Sequence, residues 1–268
     1  MNLLSHPTLS ATLPKLHRLH GLWPIALKTL RQESNGWPLE LLATIASPVT
    51  FFLAFGLGLT GYMHQVEGHP YIVFLLPGLV ANTVVMQAYN VGAWSLWLDR
   101  WHQGMTDEYR IKPVSTTAII MGQIVGGCLV ALVKGVIVAL VLLCLVPTHL
   151  SVEAMVLFAV YLLPATVALN ALGAMAGTAF RKPDHIAQSL TIVITPLLYL
   201  GGLFFPMSSY PEHIRPWVNW LPTTMLFEGS RQSLLEGHFP WLSFSILCLW
   251  ALLCLLVAVR TYNRLLSE

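Results

Sequence analysis

The chain has 268 residues, of which 56% are apolar and only 10% charged, with a formal net charge of +2. A soluble domain carries about 25% charged residues, and a mean hydropathy of +0.68 leaves too little polar surface to cover a water-facing globule. That excludes a nucleic-acid binder, a disordered chain and an ordinary cytosolic enzyme, and it makes membrane lipid the main solvent.

The first 35 residues hold no uninterrupted apolar run and no small-residue cleavage site, so they are expected to be retained. Within them, Leu16, Leu19, Trp23, Leu27 and Leu30 recur at helical spacing, and Lys15, Arg18, Lys28 and Arg31 supply cations. This pattern predicts an amphipathic helix on the anionic leaflet, broken or restarted at Pro24.

Six segments have the length of about 20 mainly apolar residues that a membrane helix needs: 39–62, 71–96, 117–146, 152–180, 186–205 and 241–260. Their continuous apolarity excludes a β-barrel, whose strands alternate. The expected fold is an all-α membrane protein with six transmembrane helices, an N-terminal amphipathic interfacial helix and short re-entrant helices on the outer side between helices five and six. Residues 1–38 form the cytoplasmic amphipathic segment, 39–260 the transmembrane domain and 261–268 a tail. An inner loop at about 98–115 and outer helices at about 207–238 belong to that domain.

Placing the N-terminus inside puts Lys15, Arg18, Lys28, Arg31, Arg100, Arg110, Lys112, Arg181, Lys182, Arg260 and Arg264 in the cytoplasm, eleven of fourteen Lys and Arg. Only Arg215 and Arg231 fall outside, and Lys134 lies within a span. By the positive-inside rule both termini are cytoplasmic. Cys128, Cys144, Cys248 and Cys254 all lie in apolar runs and read as buried, inert thiols rather than disulfides.

The first outer loop carries His64, Glu67 and His69, which read as a solvated turn because no further ligand completes a metal site. In the second span Asn82, Gln87 and Asn90 spread over a broad face that lines a pathway or bonds between helices. The inner loop contains Thr106 as a helix cap and Asp107 and Glu108 in the first turn, where they suit the helix dipole. Pro113 then ends that short helix. A docking element for a soluble partner has this form, and so does a solvated loop.

Lys134 is the single charge deep in a span, near mid-bilayer, with no acidic residue in any span expected to pair with it. Burying it costs about 2.5–3.5 kcal/mol on insertion scales. It either faces the pathway or a hydrated pocket beside it and attracts an anionic head group, or its amine snorkels or bonds to backbone carbonyls of a neighbouring helix. Gly122-x-x-x-Gly126 and Gly173-x-x-x-Gly177 permit close helix approach, most simply within one subunit. After the fifth span, Trp217 and Trp220 form an aromatic face at the outer interface, and a further short helix follows Pro222.

Several chemistries have no motif here. There is no Gly-rich loop ending in Gly-Lys-Ser/Thr, no His-Glu-x-x-His and no Gly-x-Ser-x-Gly.

The run Ile194-Thr195-Pro196-Leu197-Leu198-Tyr199-Leu200-Gly201-Gly202-Leu203-Phe204-Phe205-Pro206, followed by Pro211 and Leu221-Pro222, resembles the signature of ABC-transporter type-2 permeases. Gly104, Glu108 and Pro113-Val114 match that family's first cytoplasmic loop in outline. The chain is most similar to the branch of nodulation-factor, multidrug and polysaccharide exporters. The resemblance implies a non-catalytic permease subunit of a bacterial inner-membrane exporter, moving a lipid-linked or amphipathic substrate. It implies an ATP-binding subunit that carries ATP and Mg, a second permease copy, and no cofactor on this chain. Gly104, Met105, Thr106, Asp107, Glu108, Tyr109 and Arg110 would be the coupling helix. Lys134, Asn82, Gln87, Tyr199, Phe204, Phe205, Trp217 and Trp220 are the candidate substrate-pathway residues. An ion-coupled carrier and a non-transporting scaffold are the alternative functions.

Overall fold

The computed structural model describes residues 21–34, 36–59, 61–62, 65–102, 115–146, 148 and 150–267. The helices, in chain order, are α1 (Leu22–Ser34), α2 (Trp37–Phe51), α3 (Tyr71–Trp97), α4 (Thr116–Leu145), α5 (Val152–Ala179), α6 (Pro183–Ser189), α7 (Thr195–Leu200), α8 (Arg215–Asn219), α9 (Pro222–Leu235) and α10 (Trp241–Ser267). Wider π-type turns extend α2 through Phe52–Leu57 and α3 through Leu98–His102, and another, Leu190–Ile194, joins α6 to α7.

Among the described residues five helical stretches are long and apolar enough to cross a membrane: Trp37–Leu57, Tyr71–Trp101, Thr116–Leu145, Val152–Ala179 and Trp241–Arg264. These coincide with five of the six expected spans. The remaining one starts earlier than expected, at Pro183, and its helix stops at Leu200 rather than continuing to 205. Its first turn, Pro183-Asp184-His185, is polar and dilutes its apolarity.

The bundle is built around α3. The most apolar stretch of that helix is 72% buried, against 22% for those of α2 and α10, so α3 is the hub and the other two form the perimeter. Phe74, Leu75, Leu79, Val84 and Val85 of α3 sit in the larger core cluster. Gly173 and Gly177 of α5 lie against the backbone of Tyr89 and Ala93 of α3, so the second small-residue pair packs within the subunit. Ser115 and Ser151 cap α4 and α5, accepting hydrogen bonds from Ala118 N at 3.2 Å and Ala154 N at 3.1 Å.

The loop expected to be the first outer one is an antiparallel hairpin, Gln65–Val66 with His69–Pro70. Its turn residues Glu67 and Gly68 have φ of 52° and 80°, the doubly positive pattern of a type I′ turn. All four cysteines are free, and Cys144 and Cys248 are exposed on the outer faces of their helices rather than buried.

At its other end α7 stops at a bend in which Gly202 has a φ of 89°. Ending a helix frees backbone carbonyls, and in lipid these have no water to turn to. Here side chains meet them. Thr223 Oγ1 donates to Leu197 O at 2.8 Å, Tyr210 OH to Leu200 O at 3.1 Å and Tyr71 OH to Phe204 O at 3.1 Å. Arg231 on α9 donates to both Gly202 O and Leu203 O. Its guanidinium lies 3.8 Å from the centroid of the Phe74 ring. Sequence counting assigns Arg231 to the outer surface, but it is 4% exposed.

Candidate functional site

The site begins with α1. Pro24 falls in its first turn, a position that tolerates the missing N–H. The helix runs alongside α4, parallel to it. A Cβ on Gly122 would lie 2.6 Å from Leu22 O, and one on Gly126 would lie 2.8 Å from Ala26 O. The first glycine pair is therefore a groove that receives α1.

Four polar side chains of α1, Lys28, Thr29, Gln32 and Glu33, meet partners on other helices, while Arg31 and Ser34 stay exposed. Lys28 pairs with Asp99 of the α3 extension at 2.5 Å. Thr29 Oγ1 donates to Gln123 Oε1 of α4 at 3.0 Å, the Gln123 amide donates to Ser95 of α3, and Ser95 Oγ donates to Gln32 at 3.3 Å. Trp23, at 58% exposure, remains on the outside. Lys28 is thus part of the docking face, not of the cationic face expected to rest on lipid.

At the top of α1 the chain turns and starts α2, and both helices contribute a carboxylate to Lys134 on α4. The Lys134 ammonium pairs with Glu33 of α1 at 3.2 Å and with Glu40 in the first turn of α2, and it donates to Gln87 Oε1 of α3 at 3.2 Å. Gln87 Nε2 in turn donates to Thr44 Oγ1 of α2 at 3.2 Å. The expectation that Lys134 lacks an acidic partner is overturned, because both partners come from segments that sequence reading placed at or outside the end of the first span. Burial pushes the Glu33 carboxyl above its usual range; Lys134 opposes that shift and Glu40 adds to it.

The Lys134 side chain is fully covered, whereas Glu40 is 39% exposed. Glu40 opens onto a cleft of about 330 Å³ between α2 and α3, lined by Glu40, Ala43, Thr44, Gln87, Asn90 and Trp94. Glu40, Ala43 and Thr44 fall at i, i+3 and i+4 on α2, and Gln87, Asn90 and Trp94 at i, i+3 and i+7 on α3, so each helix gives one face. Gln87 lies about 24 Å along α3 from its hairpin end at Tyr71, at 1.5 Å per residue.

The other candidate residues lie elsewhere. Asn82 is half-buried, and its Oδ1 has no hydrogen-bond partner among the described residues. Tyr199 and Phe204 join Phe51 and Phe55 in an aromatic cluster with ring centroids 4.5 to 6.5 Å apart. Phe204 is buried, and Tyr199 and Phe205 are each 41% exposed. That cluster is some three turns or more from Glu40, about 16 Å or further along α2. Trp217 and Trp220 are 80% and 79% exposed. Trp220 borders an apolar cavity of about 290 Å³ that also touches Leu198, Leu226 and Trp250. The structure therefore brings Lys134 to Gln87 and Tyr199 to Phe204, and leaves the two pairs apart. The expected coupling residues Gly104, Met105, Thr106, Asp107, Glu108, Tyr109 and Arg110 lie outside the described residues. On one flank of that loop, Arg100 donates to Thr178 O at 2.7 Å and Trp97 Nε1 to Arg181 O at 3.2 Å, tying the end of α3 to that of α5.

Sequence reading takes Glu40 as a span-end acid at the interface and does not single out Glu33, Thr44 or Trp94. The available signal was energetic: a lysine in an apolar helix needs a counter-ion, and Glu33 and Glu40 are the acids nearest the start of the first span.

Comparison with known proteins agrees with this architecture. The chain matches the ABC-2 type transporter family over residues 22–235. It is 28% identical to the inner membrane transport permease YadH of Escherichia coli (strain K12), over 81% of this chain and 85% of that protein. It is 26% identical to nodulation protein J of Sinorhizobium fredii (strain NBRC 101917 / NGR234), over 84% and 86%. It is 27% identical to the daunorubicin resistance ABC transporter permease protein DrrB1 of Streptomyces coeruleorubidus, over 80% and 75%. With apolar spans, a polar cleft among them and a match across most of its length, the chain belongs to the ABC-2 type transporter family, a membrane transport subunit whose ATPase lies on a partner.

Proposed function

We propose that this chain is the permease half of an ATP-driven exporter in the bacterial inner membrane, carrying an amphipathic or lipid-linked molecule outward. The observation that carries this reading is the cleft between α2 and α3. Glu40, Thr44, Gln87 and Asn90 are polar, and polar side chains in a membrane bundle face protein or a water-filled pathway, since lipid gives them no partners. In this reading 183–200 is a sixth crossing, α8 and α9 are short helices at the outer mouth, and both termini are cytoplasmic. The side chains that satisfy the carbonyls after Leu197 support irregular backbone at membrane depth there. With the hairpin outside, Gln87 lies about 24 Å along α3 from Tyr71 and Lys134 about 16 Å along α4 from Leu145, which supports a place for the cluster within a hydrocarbon core about 30 Å thick.

The loop containing Gly104 to Arg110 is the coupling element, gripping an ATP-binding subunit, and a second permease copy completes the pathway. The aromatic cluster of Phe51, Phe55, Tyr199 and Phe204 would then form its outer, apolar part. The experiment is co-purification followed by transport in inside-out vesicles. The permease should retain an ATP-binding subunit, raise its ATP hydrolysis, and lose both effects when Asp107 and Glu108 are replaced by alanine. An ion-coupled carrier is the second reading, favoured by the titratable pair Glu33 and Glu40 beside Lys134. Substrate uptake into vesicles that hold an ion gradient and no ATP would establish it instead.

A further inference from the structure

The charge in the cleft is not the one that the sequence puts forward. Lys134 is the residue that would attract an anion, but its amine is covered and bonded to two carboxylates and an amide. The group that reaches the cleft is the Glu40 carboxylate, 39% exposed. Of the three charged groups that meet here, Glu40 is the most exposed and the only one on the cleft wall, so the charge presented to the cleft is a carboxylate. Beside Glu40, Trp94 presents a ring at 37% exposure. An indole face attracts organic cations and also accepts apolar surface. The Asn90 amide, which makes no hydrogen bond among the described residues, lies on the same face of α3, one turn from Trp94.

On the reading that the chain is an export permease, we infer that this cleft binds the cationic head of an amphipathic molecule. Glu40 supplies the counter-charge, Trp94 the platform and Asn90 a hydrogen-bonding edge. Lys134 is a positioning residue: it holds Glu40 in place from behind and touches no ligand. Because the charged group that lines the cleft is the Glu40 carboxylate and the Lys134 ammonium is covered, an anionic head of the same size is disfavoured.

Two probes of the same shape and opposite charge test this. Tetraphenylphosphonium and tetraphenylborate are equilibrated with the purified permease in nanodiscs of zwitterionic lipid, and binding to empty nanodiscs is subtracted. The phosphonium should show saturable binding at least about tenfold tighter than any saturable binding of the borate, a difference of about 1.4 kcal/mol. Glu40→Gln should weaken it about tenfold, Glu40→Asp much less, and Trp94→Ala at least about threefold. Trp94 makes no contact with the Lys134 cluster through hydrogen bonds, so its variant decides the matter even if Glu40→Gln does not fold. Equal or tighter saturable borate binding, or phosphonium binding unchanged in Trp94→Ala, overturns the inference. No ATP-binding subunit is present in this measurement. A permease that binds the phosphonium yet fails to stimulate ATP hydrolysis overturns the export reading alone, and the converse overturns only the binding site.

Discussion

Lys134 on α4 and Glu40 on α2, 94 residues apart in the chain, form an ion pair of which only Glu40 lines the cleft between α2 and α3. The pair exists because α1 is seated in the glycine groove of α4. That docking lifts the start of α2 to the level of Lys134, and Glu33 arrives beside it from the last turn of α1.

Removing the ammonium should therefore be costly. Lys134→Met leaves two carboxylates close together without a counter-ion, and breaking such a pair costs about 3 kcal/mol or more when it is buried. The lower end is expected because Glu40 is partly exposed. Thermal unfolding in detergent should show the loss, and Lys134→Met combined with Glu40→Gln should recover part of it. A double variant no more stable than Lys134→Met alone would count against the pairing.

Glu33 should behave in the opposite way. Its carboxyl titrates above its ordinary value of 4.5, with burial as the largest cause. The folded protein thus holds this proton more tightly than the unfolded chain. The stability it contributes is fully present below pH 4.5 and is lost as the pH rises through the raised folded value. Glu33→Gln should flatten that decline and be at least as stable as the parent at pH 7. Melting curves across pH 4 to pH 7.5 check this, and a decline of unchanged slope would refute it.

The bend after α7 depends on Arg231, which serves the carbonyls of Gly202 and Leu203 while lying over Phe74. Hydrogen bonds from a charged donor contribute about 1.5–3 kcal/mol each. Arg231→Met should lower stability by about 2 kcal/mol or more. Arg231→Lys should recover less than half, because a point ammonium cannot fork between two carbonyls and stack on a ring at once. The comparison of the two melting temperatures is the measurement.

The seat of α1 is tested at Gly126. A Cβ there would meet Ala26 O and Thr29 Cβ, both at 2.8 Å, and backbone does not yield easily. Gly126→Leu should force α1 off α4 at a cost of about 1–3 kcal/mol and uncover Lys28, which is 22% exposed and paired with Asp99, to trypsin. Cleavage at an unchanged rate would show that α1 is not held by this groove.

Much of the fold was legible in the chain because its signals are local. Twenty apolar residues in a row report a membrane helix whatever they pack against, so the segments near 39–62, 71–96, 117–146, 152–180 and 241–260 coincide with helices. The glycine spacings announced close approach, though not that α1 and α3 were the partners. Less of the site could be read. Lys134 stood out, but its partners did not, since Glu33 and Glu40 lie 101 and 94 residues away and look like span-end acids. Arg231 passed for a surface charge because nothing nearby in sequence marks the carbonyls it serves, 28 and 29 residues upstream.

By itself the sequence determined the solvent, five of the spans and the family, because apolarity, length and motif are properties of contiguous residues. Only the tertiary structure decided which charges are hidden and which face the cleft. Helical periodicity assigns a side chain to a face of its own helix, but the neighbour it meets is chosen by how the helices pack.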